Sequence, residues 1–212
     1  MKYGFIGTGN MGGALATACA KAVEPESILL SNRSPEKARA LAEKLGASCA
    51  DNETIARDCD VIFLGVKPYM VAGLMEKIGP VLAARKDRFV LVSMAAALTI
   101  PDLRERGCGD WPLIRIMPNT PSAIGEGVIF YTCDGVTAEE EAAFLENMAG
   151  AGRLLPLLNW RDIARHPKLF CGYSDVTALH IALNQCCRLV TYHTPMPSTE
   201  LYQLVDDFTT TY

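Results

Sequence analysis

Three glycines near the start of the chain have the spacing of a phosphate-binding turn. Gly7, Gly9 and Gly12 lie in the stretch FIGTGNMGG, which fits G-x-G-x-x-G. The pattern is informative where a strand precedes it and a helix follows, and Tyr3–Ile6 and Met11–Ala22 read as these two elements. In such a turn the first glycine permits the bend, the second lets a pyrophosphate approach, and the third lets the helix pack on the strand. The helix start then favours negative charge. The predicted coenzyme contacts are Gly7, Gly9, Asn10, Met11 and Gly12.

The polar stretch after the second predicted strand, Ile28–Ser31, bears on which dinucleotide binds. An NAD site has Asp or Glu near this point to accept from the ribose 2′-hydroxyl. Here the residues are Ser31, Asn32, Arg33 and Ser34, without a carboxylate. Arg33 can pair with a 2′-phosphate, while Ser31, Asn32 and Ser34 can donate hydrogen bonds to it. The stretch therefore favours NADP(H) over NAD(H); the alternative is that Arg33 is an ordinary solvated charge.

Short apolar runs alternate with amphipathic segments over residues 1–156. This alternation predicts an α/β fold with a Rossmann-like, doubly wound and mostly parallel sheet. Asp60–Val66 and Phe89–Ser93 are continuous apolar strands of the kind buried on both faces. Ser34-Pro35 opens a helix that ends at Gly46, and Thr137–Glu140 has the pattern of a capping box. Other predicted elements are a helix at Tyr69–Leu82 and strands at Leu113–Met117, Val128–Tyr131 and Arg153–Leu157.

Composition and charge argue against several classes of function. The chain has 212 residues and a formal net charge of −4, which gives no general attraction to nucleic acid or anionic membranes. No apolar run is long enough to span a bilayer, and no secretion signal is evident, so we expect a cytoplasmic protein. The eight cysteines form no CxxC pair, which favours reduced thiols and no metal site.

Five motifs in order resemble the nucleotide-binding domain of pyrroline-5-carboxylate reductase. They are FIGTGNMGG, SNRSPEK, DVIFLGVKP, SMAAALTI and RIMPNTP. The resemblance implies an NADPH-dependent oxidoreductase acting on a CH–NH group, which reduces the cyclic imine 1-pyrroline-5-carboxylate to proline in proline biosynthesis. It implies further coenzyme contacts at Val66, Lys67, Pro68, Ala95 and Ala96. Asn119 and Thr120 become the catalytic candidates, with turn chemistry as the alternative. That family usually has Gly where Ala97 stands.

The second part of the chain, 157–212, is predicted as a β-α-β-α extension with a different origin. Its stretch PKLFCGYSDVTALH resembles the LD-carboxypeptidase family, whose serine nucleophile corresponds to Ser174. The general base of that family comes from a later domain that this chain does not match, and a serine without a base is a poor nucleophile. A serine hydrolase acting through Ser174 is therefore an alternative and not the leading hypothesis.

The two resemblances together suggest parts of two enzymes joined in one chain. The helical dimerisation domain that follows the nucleotide-binding domain in the reductase family is not matched after Leu157, so we expect reductase activity to be impaired. The other alternative is a chimera or a dinucleotide-binding module without catalysis. The expected partner is a small molecule, a cyclic imine or proline, and the sequence leaves the oligomeric state open.

Overall fold

A computed structural model of the chain describes residues 1–118, 129–148, 160–168, 171–172, 183–184 and 186–193. The chain divides into two compact units, Met1–Arg153 and Leu154–Tyr212. The described strands of the first unit are β1 (Tyr3–Ile6), β2 (Ile28–Ser31), β3 (Ser48–Cys49), β4 (Val61–Leu64), β5 (Val90–Ser93), β6 (Leu113–Pro118) and β7 (Ile129–Asp134). Its described helices are α1 (Asn10–Cys19), α2 (Pro35–Leu45), α3 (Asn52–Asp58), α4 (Val71–Ala83), α5 (Ile100–Leu103) and α6 (Ala138–Met148).

The strands described in the first unit form one sheet in the order β3-β2-β1-β4-β5-β6-β7. Strands β1 to β6 are parallel, and β7 pairs antiparallel with β6. The chain adds β2 and β3 on one side of β1, then returns to add β4, β5 and β6 on the other. This reversal between β1 and β4 is the switch point of a doubly wound sheet. The predicted Rossmann-like, mostly parallel fold is confirmed.

The inner strands β1, β2, β4, β5 and β6 divide their side chains between two apolar layers. On β1, Phe5 belongs to the layer beneath α1, α2 and α6, and Ile6 to the layer beneath α3, α4 and α5. The rings of Phe5 and Phe63 stack in the first layer with centroids 4.3 Å apart. Full burial of a side chain of this size stabilises a fold by about 1.5–3 kcal/mol. The two layers explain why the predicted strands are apolar throughout and do not alternate.

Most of the predicted elements of the first unit are present with small changes in length. The strands β1 and β2 have the predicted bounds, and α2 ends at Gly46, whose φ of 73° is left-handed. The helix predicted over Met11–Ala22 is the shorter α1, and the strand predicted over Asp60–Val66 is the shorter β4. The capping box forms, since the Glu140 amide donates to Thr137 Oγ1 at 3.2 Å and the Thr137 amide donates to Glu140 Oε2 at 2.8 Å.

Three short elements of the first unit were not predicted: β3, α3 and α5. They contain two, seven and four residues, which is too few for a hydrophobic period to be evident. Local hydrogen bonds define the helix starts instead. Asp51 accepts from the Thr54 amide at 2.6 Å at the start of α3. Thr99 and Asp102 form a reciprocal capping box at the start of α5.

The second unit has a described helix, α7 (Trp160–Arg165), and two short strands, β8 (Cys171–Gly172) and β9 (Tyr192–His193). The strands pair in parallel in a two-stranded sheet of their own. The predicted strand over Arg153–Leu157, the boundary after Pro156 and the predicted final helix lie outside the described residues. Leu183 is buried.

The loop after β5 contains a turn with an unusual backbone conformation. The Leu98 amide donates to the Ala95 carbonyl at 3.5 Å, so Ala95–Leu98 forms a β-turn. Ala97, its third residue, has φ of 61°, as the third position of a type II turn requires. A side chain makes this conformation costly, and glycine adopts it freely.

Replacing Ala97 with glycine is therefore expected to stabilise the protein by about 0.5–1 kcal/mol. The gain should appear in thermal unfolding as a rise in Tm of about 2 °C. Ala96→Gly is the matched control, because Ala96 is not among the described residues with positive φ. It should lower the Tm slightly, and an equal effect of both variants would contradict the turn geometry.

Candidate functional site

The predicted glycine turn joins β1 to α1 through close contacts between backbones. A Cβ atom added to Gly12 would lie 2.1 Å from the Gly7 carbonyl oxygen. A Cβ on Gly7, whose φ is 96°, would lie 2.5 Å from the carbonyl oxygen of Gly65, and one on Gly65 would lie 2.3 Å from that of Gly7. Only glycine fits at these positions. Gly65, directly after β4, was not predicted as part of the site.

Gly9 stands apart from these contacts and faces open space. A Cβ added there would meet nothing within 4 Å. Gly9 is the N-cap of α1 and offers no side chain to the helix start. The first-turn amides of Asn10, Met11 and Gly12 have no acceptors within the helix, so a phosphate above Gly9 would be their natural partner. The geometry fits a pyrophosphate in the way the glycine pattern predicts.

The end of β2 is tied to the same turn. The amides of Gly7 and Thr8 donate to the Ser31 carbonyl at 2.8 and 3.2 Å. The Asn32 side-chain amide donates to the Thr8 carbonyl at 3.3 Å. The residues predicted to select NADP(H) over NAD(H) thus lie directly beside the residues predicted to bind the pyrophosphate. Arg33 follows at the surface with an exposed side chain.

An open cleft of about 560 Å³ begins at the end of β2 and extends toward α3. On one side Ser31 Oγ donates to Asn52 Oδ1 at 2.6 Å, and both residues line the cleft. Asn52 was not predicted, because its link to Ser31 crosses 21 positions of sequence. Lining residues with charged side chains are Arg39, Lys77, Asp51 and Glu53.

The charge of Asp51 in this cleft is held at the start of α3. Hydrogen bonds from the Thr54 amide and hydroxyl lower the pKa of Asp51 below its ordinary value. The carboxylate is therefore ionised and engaged as a helix cap at neutral pH. It does not take the place at the end of β2 where an NAD site carries its acid.

The other predicted coenzyme contacts follow β4 and β5 at the same edge of the sheet. Val66 and Lys67 come after Gly65, and Pro68 begins a 3₁₀ turn. Lys67 and Ala96 are exposed, whereas Ala95 is buried. The parallel strands bring these loops to the edge where the glycine turn lies, and this is the edge at which open α/β sheets bind ligands.

The three residues predicted as candidates for catalysis cannot be placed in this site. Asn119, Thr120 and Ser174 lie outside the described residues, so their roles stay predictions. Among the residues that are described, no group of three His, Cys, Asp or Glu side chains could hold a metal ion. No helix in that part of the chain is long and apolar enough to cross a membrane.

Buried thiols near the core provide no nucleophile to the site. Burial raises the pKa of Cys19 and of Cys59 to about 12, and that of Cys108 to about 11. The thiolate is the reactive form of cysteine, so these three side chains act as small apolar groups at neutral pH.

Family models match two separate parts of the chain. Residues 2–97 match the model described as NADP oxidoreductase coenzyme F420-dependent. Residues 148–194 match the LD-carboxypeptidase N-terminal domain. The second match confirms the predicted resemblance to the LD-carboxypeptidase family.

Curated relatives of the chain are pyrroline-5-carboxylate reductases, which confirms the predicted resemblance to that family. The protein of this name from Staphylococcus saprophyticus is 36% identical over 170 residues, which are 77% of this chain and 62% of the relative. The one from Escherichia coli is 34% identical over 150 residues, which are 69% of this chain and 55% of the relative. The chain thus spans between about half and three fifths of the length of these two relatives.

Solved structures show the same similarity in three dimensions. A pyrroline-5-carboxylate reductase from Coxiella burnetii matches with a TM-score of 0.66 at 25% identity, covering 86% of this chain and 66% of that one. The Plasmodium falciparum pyrroline carboxylate reductase, whose structure has NADP bound, matches with a TM-score of 0.61 at 24% identity. At 24% identity, the match to the Plasmodium falciparum structure shows a similar fold and no more.

Proposed function

We propose that this chain binds NADP(H) and uses it to reduce 1-pyrroline-5-carboxylate to proline. The observation that carries the proposal is the glycine turn at the switch point of the sheet, with open space above Gly9 and a carboxylate-free strand end beside it. The names of the relatives supply the substrate. The chain spans only part of the length of those relatives, so their activity is a proposal for this chain.

Each part of the site has a separate task in this proposal. The first-turn amides of α1 hold the pyrophosphate, and Asn32 and Arg33 hold the 2′-phosphate. Ser31 joins them when its hydroxyl turns from Asn52 Oδ1 to the phosphate. The loops after β4 and β5 border the other half of the coenzyme. When bound, NADPH supplies the hydride for the reduction. A protonated imine is already electrophilic, so the protein needs chiefly to orient the substrate and exclude water.

An assay of NADPH oxidation tests the activity directly. Loss of NADPH absorbance should depend on added pyrroline-5-carboxylate, with gel filtration giving the mass of the active species. A change in NADPH fluorescence without oxidation would instead support the second candidate, a dinucleotide-binding module without catalysis. The family match over residues 2–97, which covers the glycine turn and the end of β2 but not Asn119 or Thr120, favours that candidate. Failure of both signals would reject the coenzyme assignment.

Reversing the charge of Arg33 is expected to weaken NADPH binding. The Arg33→Glu variant places a carboxylate where a 2′-phosphate would lie, so the affinity for NADPH should fall at least about tenfold while that for NADH changes little. Arg57→Glu, on the last turn of α3, makes the same change in net charge and is the matched control. Fluorescence titration measures both, and an unchanged NADPH affinity in Arg33→Glu would reject the role of Arg33.

The match of residues 148–194 to the LD-carboxypeptidase domain keeps a hydrolase as a separate candidate. It would act through Ser174. A fluorophosphonate probe labels an activated serine, so labelling that is lost in Ser174→Ala would support this activity. The same experiment leaves the NADPH proposal untouched, because the two sites use different residues.

A further inference from the structure

The turn after β5 has anchored ends and an exposed tip. Ala95 and Leu98 are buried, and the alanines between them, Ala96 and Ala97, are exposed. At one end the Ala95 amide donates to Oγ of Ser93 at 3.3 Å. The tip carries only methyl side chains, so it can recognise a polar ligand only through its backbone. Its affinity for such a ligand therefore depends on the backbone conformation being maintained.

A charged side chain from the neighbouring strand fixes the other end of the turn. Arg115, half-buried on β6, donates from Nε to the Leu98 carbonyl at 2.5 Å. Arg115 and Ser93 are register partners across the β5–β6 pair, so the two anchors of the turn stand side by side. The conformation they hold includes the unfavourable φ of Ala97. A charge-assisted hydrogen bond of this kind can offset that cost.

The topology places this turn beside the nicotinamide half of a bound dinucleotide. The coenzyme crosses the sheet at the switch point, and its 2′-substituent is recognised at the end of β2. The nicotinamide half of the coenzyme must then extend over β4 and β5, on the opposite side of β1. The exposed tip at Ala96-Ala97 lies at the end of β5 on that side.

We propose that Arg115 is a positioning residue for the nicotinamide half of the coenzyme, which it serves by holding the Ala95–Leu98 turn. The inference rests on the proposed NADP(H) binding. Arg115 acts through the Leu98 carbonyl, and the turn presents its backbone to the ligand. This role concerns only the nicotinamide half of the dinucleotide. A general loss of stability would instead weaken the binding of both halves.

Two probes distinguish the halves of the coenzyme: NADPH and 2′,5′-ADP, which carries only the adenosine half with its 2′-phosphate. Arg115→Met is expected to weaken NADPH binding about tenfold, the effect of losing one charge-assisted hydrogen bond. Its affinity for 2′,5′-ADP should match that of the wild type. Arg115→Lys keeps one donor and should lose only about twofold to threefold for NADPH. If Arg115→Met shows no cooperative unfolding transition, the same comparison of probes is made with Arg115→Lys.

Ala97→Gly tests whether Arg115 acts through the turn. Glycine adopts the positive φ without an anchor, so Arg115→Met/Ala97→Gly should recover most of the lost NADPH affinity. Absence of recovery would mean that Arg115 contacts the coenzyme directly, and an unchanged NADPH affinity in the single variant would mean that it has no role. Equal weakening of both probes would indicate a structural role only. Each of these three results overturns the proposal. A wild type that binds NADPH, with Arg115→Met binding it equally well, would overturn this inference alone, whereas a wild type that does not bind NADPH would overturn the proposed function as well.

Discussion

Gly12→Ala is expected to destabilise the protein by about 3 kcal/mol or more, because the added methyl group has no space. Its Cβ would lie 2.1 Å from the Gly7 carbonyl oxygen, and a backbone atom cannot move aside as a side chain can. Helix α1 must shift away from β1, which separates the first-turn amides from the end of the strand. We expect the Tm to fall by about 10 °C and NADPH binding to be lost. Thermal unfolding and fluorescence titration measure the two effects.

Gly9→Ala provides the matched control, since it adds the same methyl group three residues earlier. Gly9 has φ of −72°, which alanine adopts, and nothing lies within 4 Å of the added Cβ. The cost in stability should be under about 1 kcal/mol, the effect of alanine at an N-cap. The methyl group nevertheless occupies the space proposed for the pyrophosphate, so NADPH affinity should fall at least about tenfold. Normal NADPH binding by a folded Gly9→Ala would exclude a pyrophosphate at this position.

The contrast between these two glycines shows what a spacing pattern can predict. G-x-G-x-x-G implies one role for each glycine, and the structure provides close packing at Gly12 and open space at Gly9. The pattern cannot show that Gly65 packs against Gly7, because the two glycines are distant in sequence and meet only when β1 and β4 pair. The partner of a tight backbone contact becomes evident only from strand order.

The fold was predictable where a local signal is strong. The apolar runs of β1 and β2, the Gly46 helix end and the Thr137–Glu140 capping box all depend on neighbouring residues, and each was predicted. The short α3 has no such period, and strand order could not be read from the sequence. As a result, neither the antiparallel direction of β7 nor the contact between Ser31 and Asn52 could be predicted.

Arg85 is a further case of a long-range role that the sequence does not reveal. It follows α4, yet its Nη1 donates to the carbonyls of Ala56 and Cys59 at the end of α3, at 2.8 and 2.7 Å. Carbonyl groups at the end of a helix have no amide donor within that helix. The guanidinium also lies 4.6 Å from the ring centroid of Phe89, and an ion pair with Asp87 completes its contacts. The Arg85 side chain is only 5% exposed.

Arg85→Met is therefore expected to lower the free energy of unfolding by about 3 kcal/mol, since two buried carbonyls lose their donors. Methionine retains apolar contact with Phe89, so the loss reports the hydrogen bonds to the two carbonyls together with the ion pair to Asp87. Urea unfolding should show a lower midpoint with an unchanged m-value. Lys86→Met is the matched control: it removes one positive charge at the next residue, whose side chain is exposed, and an exposed charge contributes little to stability. Equal losses in the two variants would mean that the carbonyls at the end of α3 find other donors, and that Arg85 stabilises the fold only as a surface charge would.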